Sequence, residues 1–162
     1  MGMETVYVET SIISYLTART SRRVIVRARQ ELTVEWWKTA RERFELFVSP
    51  LVLEEAGLGD EIAAAERLAA VEGLPRLEIV EEARELADKL IAEGAVPVCA
   101  QDDAAHIALA AVHAMNYLLT WNFRHLDNAE TKPLIRSVCE ANGYVCPEIC
   151  TPEELMGEHD HA

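Results

Sequence analysis

The 162-residue sequence predicts an α/β fold with a mostly parallel sheet of about five strands. Short β-type runs alternate with helical stretches along the whole chain, the pattern of a parallel sheet covered on both faces. Residues 99–115 are almost entirely apolar, so their helix belongs at the centre of the molecule. Half of the residues are hydrophobic, and no repeat or low-complexity linker divides them, which suits one domain with one core.

The elements follow in order. Residues 5–9, TVYVE, alternate and are rich in Val and Tyr, so they predict the first strand. Either Thr10 or Ser11 can cap a short helix over 11–18. Residues 21–44 predict a helix with a break near Thr33, and Trp36 or Trp37, Ala40 and Phe44 form its apolar stripe. LFVS at 46–49 is a second strand, and Pro50 suits the first turn of the helix through LVLEEAGL. A helix over 60–73 has Asp60 as its cap and Gly73 as its stop. RLEIV at 76–80 is the third strand. Ala83, Leu86, Ala87, Leu90 and Ile91 then repeat at helical spacing up to Gly94. YLLT at 117–120 is the fourth strand, a helix over 130–142 stops at Gly143, and EICT at 148–151 is the fifth strand, followed by a short terminal helix.

Composition narrows the function classes. No apolar run reaches the ~18 residues of a membrane span, and the N-terminus lacks the basic-then-apolar layout of a signal peptide, so the expected location is cytoplasmic. Four cysteines are few for a disulfide scaffold. Cys146 and Cys150 have no nearby His or Cys to complete a zinc site, so reduced thiols are expected. No P-loop or dinucleotide-type glycine motif is present, which argues against a nucleotide cofactor. The net charge is −13, yet residues 10–30 contain Arg19, Arg22, Arg23, Arg27 and Arg29 and no acid. Such a window can grip phosphates, pair with an acidic partner, or form a solvated helix face.

Ligands in parallel α/β sheets bind beyond the carboxyl ends of the strands, and acids cluster in such places here. Glu9 ends the first strand, Glu54 and Glu55 follow the second, and Asp102 and Asp103 open the apolar helix before the fourth. Each has a plain alternative, as a solvated strand end, an exposed helix face or a helix cap. Carboxylates that converge at one sheet edge repel one another, and a divalent cation with oxygen ligands relieves that cost. His106 shares a helix face with Asp103, but a histidine beside an apolar stripe is more often structural. His113 lies ten residues beyond Asp103, about 15 Å along the helix, too far to join it.

The segments VYVETSIISYL, VSPLVLEEAGLGD, DDAAHIALAAVHAMNYLLTWN and ICTPEEL, in this order and spacing, resemble the PIN-domain nucleases, specifically the VapC-type toxin ribonucleases. The resemblance runs over most of the chain. It implies a PIN-like three-layer α/β/α sandwich over 1–157 with a tail at 158–162. It selects Glu9, Glu55 over Glu54, and Asp103 over Asp102 as metal ligands, leaving Asp102 as the helix cap. Asn122 becomes a fourth catalytic position, and Thr10 and Ser11 become supporting groups. It further implies Mg²⁺ or Mn²⁺ as cofactor, hydrolysis of RNA to 5′-phosphate products, a homodimer, and a cognate antitoxin as partner. The arginine window becomes the RNA-binding candidate, whereas Trp36 and Trp37 suit packing better than base stacking.

Three positions differ from the family pattern. Glu9 stands where an aspartate is usual. Asn122 carries no charge, and His125 stands where many relatives have an acid, with Asp127 two residues on as a possible substitute. Glu9 and Asn122 favour a rival reading, a non-catalytic PIN-like protein that binds nucleic acid or a partner through a degenerate site. A phospho-acceptor domain on another doubly wound fold is a second rival. ETS at the end of the first strand, with no second acid close by, counts against it.

Overall fold

The structure, a computed structural model, describes residues 2–157; the tail proposed at 158–162 lies outside them. Four strands and seven helices follow in the order β1 (Glu4–Val8), α1 (Thr10–Thr17), α2 (Val24–Arg43), β2 (Phe44–Phe47), α3 (Pro50–Ala56), α4 (Glu61–Ala70), α5 (Glu81–Ala92), α6 (Gln101–Val112), β3 (Tyr117–Leu119), α7 (Lys132–Ala141) and β4 (Glu148–Cys150). The strands form one parallel sheet in the order β2-β1-β3-β4. On β1, Val6, Tyr7 and Val8 are all fully buried, as expected of a strand covered on both faces. Helices α5, α6 and α7 pack together, and α1 contacts α2, α3 and α4, an arrangement compatible with a three-layer sandwich.

The sheet has four strands rather than five. The segment expected to form a strand at 76–80 makes a single parallel bridge, Arg76 to Val48, and then leaves the sheet. Leu77 N donates to Val48 O and Val48 N donates to Pro75 O. Beyond that bridge Ile79 is exposed and Glu81 already begins α5, so the run is too short to extend the ladder. The terminal helix is likewise replaced by a turn over 152–155.

Helix α2 runs unbroken through Thr33, whose hydroxyl donates to Arg29 O at 2.6 Å and so keeps a buried polar group satisfied within the helix. Trp36 is fully buried, with Nε1 donating to Leu155 O, while Trp37 is half-buried and packs against the core. Asp60 caps α4 through Ala63 N, as expected. The end of α6 turns through Ala114 in the left-handed region at φ 56°.

Because all strands run the same way, their carboxyl ends share one edge of the sheet. The strand order reverses between β1 and β3, where connections depart to opposite sides. That switch point opens a crevice beyond the strand ends, and Glu9 and Thr120 stand there.

Candidate metal centre

Glu9 follows directly on β1 and is itself the N-cap of α1. The cap was expected at Thr10 or Ser11, but the glutamate is long enough to fold back, and its Oε2 accepts from Ser11 N at 3.1 Å. Its Oε1 accepts from Ser11 Oγ and from Thr120 Oγ1, the latter at 2.6 Å. Those hydroxyls also accept backbone N–H groups from the end of β3: Trp121 N donates to Ser11 Oγ at 2.8 Å and Asn122 N to Thr120 Oγ1 at 2.9 Å. Glu9 is thus 6% exposed and locked between two strand ends. The extra methylene relative to aspartate spans that gap.

Glu55 is the penultimate residue of α3, a helix capped by Ser49 Oγ through Val52 N. Its side chain turns inward, whereas Glu54 beside it is exposed. Glu55 Oε1 accepts from Thr10 Oγ1 at 2.6 Å and lies 2.6 Å from His106 Nε2. His106 is fully buried on α6, and its Nδ1 meets Tyr7 Oη at 2.7 Å, which meets Ser49 Oγ at 2.7 Å. One hydrogen-bonded chain therefore links Ser49, Tyr7, His106, Glu55 and Thr10 across β1, α1, α3 and α6.

The electrostatics follow from this packing. Burial alone would raise the Glu55 carboxyl, but the hydrogen bond and charge of His106, with the Thr10 hydroxyl, outweigh it and hold the pKa below its usual value. Burial likewise opposes charge on His106, yet the Glu55 hydrogen bond and the charges of Glu9, Glu55 and Asp103 lift its pKa above the usual range. Burial, the largest influence on Tyr7, pushes its phenol well above its ordinary range and keeps it neutral.

Asp103 sits in the first turn of α6, three residues before His106. Its Oδ1 accepts from Asn122 Nδ2 at 3.2 Å and its Oδ2 lies 2.9 Å from His125 Nδ1. Asn122 Oδ1 accepts from the backbone N–H groups of Arg124 and His125, which sets the loop that carries both partners. Asp102, expected as the cap, is exposed in the same turn; Ala100 occupies the cap position, so α6 begins two residues earlier than that role allows. A groove of about 460 Å³ beside Val98 and Gln101 opens onto Asp103 and His125.

Among the described residues, one group has the proximity a metal ion requires: ligand atoms of Glu9, Glu55 and His106 lie within 4.8 Å of one another. Two carboxylates and an imidazole form a chemically suitable donor set, so the cluster can hold a metal ion. Asp103 stands at its border and is engaged with Asn122 and His125. Of the candidates in the sequence, Glu9, Glu55, Asp103, Asn122, Thr10 and Ser11 are linked through this network or border it. Asp127 is not part of it, because Lys132 Nζ donates to its Oδ1 at 2.6 Å. His113 is also elsewhere, with Nε2 2.8 Å from Glu78 O. Arg19, Arg22, Arg23 and Arg27 are exposed around the start of α2, and Arg29 is partly covered.

His106 has a larger part here than sequence reasoning assigned it. Its i, i+3 relation to Asp103 was the available signal; its contact with Glu55, on a different helix, was not visible. Thr120 was read only as the end of a strand, and nothing in its neighbours signals that it would bind Glu9. No family model and no curated protein matches the chain.

Proposed function

We propose that this protein is a divalent-metal-dependent endoribonuclease, with Mg²⁺ or Mn²⁺ as the metal, and that it serves as the toxin of a toxin–antitoxin pair. The observation that carries the nuclease reading is the convergence of Glu9, Glu55 and His106 within 4.8 Å beyond the strand ends, with Asp103 at the border. The toxin assignment, its antitoxin, the homodimer and the cytoplasmic location rest on the sequence resemblance.

Glu9, Glu55 and Asp103 would hold the cation, with His106 able to supply a nitrogen donor. When bound, the cation acidifies a water and offsets the charge that develops on the scissile phosphate. Thr10 and Ser11 orient the carboxylates of Glu55 and Glu9, a supporting role that fixes ligand geometry. Asn122 and His125 hold Asp103 through its two oxygens. The tight hydrogen bonding lets the carboxylates retain their positions without reorganisation as charge develops.

The test is cleavage of a labelled single-stranded RNA with Mn²⁺ or Mg²⁺, comparing wild type with Asp103→Asn and Glu55→Gln. Each variant is expected to lose at least about a hundredfold in rate and to retain far-ultraviolet circular dichroism. Absence of metal-dependent cleavage in the wild type, or full activity in Asp103→Asn, overturns the proposal. A second reading, a non-catalytic PIN-like binding protein, is favoured by the three hydrogen bonds that Glu9 accepts while capping α1. That role is structural in itself and needs no metal. RNA binding without cleavage under any divalent metal selects it.

A further inference from the structure

Beside the metal centre lies an aromatic pair that the nuclease reading does not use. Phe123 follows Asn122 directly, so its Cα is about 3.8 Å from that of a residue bonded to Asp103. Phe123 is 40% exposed, although its loop is held in place. Asn128 Nδ2 donates to Phe123 O at 3.0 Å, and Asn122 Oδ1 accepts the two N–H groups that follow Phe123. Trp121 meets the Phe123 ring edge-on with centroids 6.1 Å apart. That indole is almost fully buried and pinned by Nε1 donating to Thr33 Oγ1 at 2.8 Å.

The guanidinium of Arg29 lies 4.9 Å from the centre of the Phe123 ring and 5.7 Å from that of Trp121. Arg29 belongs to the basic window, whose other four arginines are exposed around the start of α2. Arg29 therefore joins the one strongly basic stretch of an acidic chain to an exposed aromatic residue that adjoins Asn122, the partner of Asp103. Arg124, also exposed, adds a second cation next to Phe123 in the loop. Apolar burial does not explain a large ring left this open on a rigid loop. A flat aromatic face with a stacked guanidinium suits an unpaired nucleobase and its phosphate.

We propose that Phe123, backed by Trp121 and Arg29, is a nucleobase-stacking subsite that seats a base of single-stranded RNA next to the metal centre. The proposal deepens the nuclease reading but can fail separately from it, because stacking is measured as binding without metal. It also replaces Trp36 and Trp37 as candidates for base contact, since Trp36 is fully buried and Trp37 packs against the core.

The experiment uses the full chain in EDTA with a fluorescein-labelled 12-nucleotide single-stranded RNA, read by anisotropy. Partners are the same oligonucleotide with abasic sites and the same sequence as a duplex. Phe123→Ala is expected to weaken binding about 5- to 150-fold, the range of one lost base stack, and Phe123→Trp to retain it. With the abasic oligonucleotide the Phe123→Ala effect is expected to vanish, which a merely structural role would not produce. Duplex RNA is expected to bind more weakly and without dependence on Phe123.

Binding by Phe123→Ala within twofold of wild type overturns the subsite, as does an equal loss on the abasic strand or failure of the wild type to bind the single strand. An acidic peptide that binds competitively with the same Phe123 dependence and greater affinity also overturns it, in favour of a protein partner. Phe123-dependent binding without cleavage under Mn²⁺ leaves the subsite standing and removes the nuclease reading. Normal cleavage with Phe123-independent binding does the reverse.

Discussion

Glu9 shows how one side chain can carry a structural and a chemical task together. Its carboxylate caps α1, reaches Thr120 on the neighbouring strand end, and contributes a ligand atom to the cluster with Glu55 and His106. Shortening it by one methylene moves the carboxylate by roughly 1.5 Å, away from Thr120. Glu9→Asp is therefore expected to lower stability by about 1 kcal/mol through the lost hydrogen bond while keeping Mn²⁺ affinity and cleavage at or above the wild-type level. Glu9→Gln keeps the length but loses the charge, and should weaken Mn²⁺ binding about tenfold. Calorimetric titration with Mn²⁺ and denaturant melts separate the two effects; equal Mn²⁺ affinity in both variants removes Glu9 from the donor set. The acid at this position was legible from its place at a strand end. The reason for its length was not, because Thr120 is 111 residues away.

At the scale of elements, the loop between β3 and α7 carries Asn122, Phe123, His125 and Asp127 in six residues. Its far end is tied to the first residue of α7 by the Lys132–Asp127 pair, in which the Asp127 side chain is only 6% exposed. The hydrogen bond with Asp127, opposed by partial desolvation, raises the Lys132 pKa above its ordinary 10.5. The folded pKa thus exceeds the unfolded one, so the stabilisation is complete below the unfolded pKa and fades as pH rises through the folded value. Lys132→Met leaves a buried carboxylate unpaired and is expected to cost about 2–3 kcal/mol at neutral pH. The difference from wild type should narrow above pH ~10.5, as measured by urea melts across pH. Helical spacing made α5 legible in advance, cap and stop residues did so for α4, and an apolar run did so for α6. The segment at 76–80 had equal strand character, but a strand also needs a partner along its length, and this one has a partner at a single residue.

For the whole molecule, charge is unevenly shared: a window of +5 sits on a chain whose net charge is −13. Self-repulsion among the acids opposes the compact state, and a cation bound only by the native protein counters it by mass action. Mn²⁺ at a hundredfold over its Kd is expected to stabilise the fold by about 2.7 kcal/mol, which raises Tm by about 5–11 °C for a domain of this size. Scanning calorimetry with Mn²⁺ and with EDTA checks this, and the rise should disappear in Glu55→Gln. No helix among the described residues is long and apolar enough to cross a membrane.

The sequence by itself determined the alternation of strands and helices, the central apolar helix, and the placing of acids at strand ends. These follow from local periodicity and from the chemistry of termini, which act over a few residues. Only the tertiary structure decided which groups share the site. It turned Glu55 inward and left Glu54 in solvent, brought His106 against Glu55, and set Phe123 beside Arg29. Those contacts join residues about 50 to 95 positions apart. Such pairings arise from the packing of helices and the order of strands in the sheet, and no local pattern encodes them.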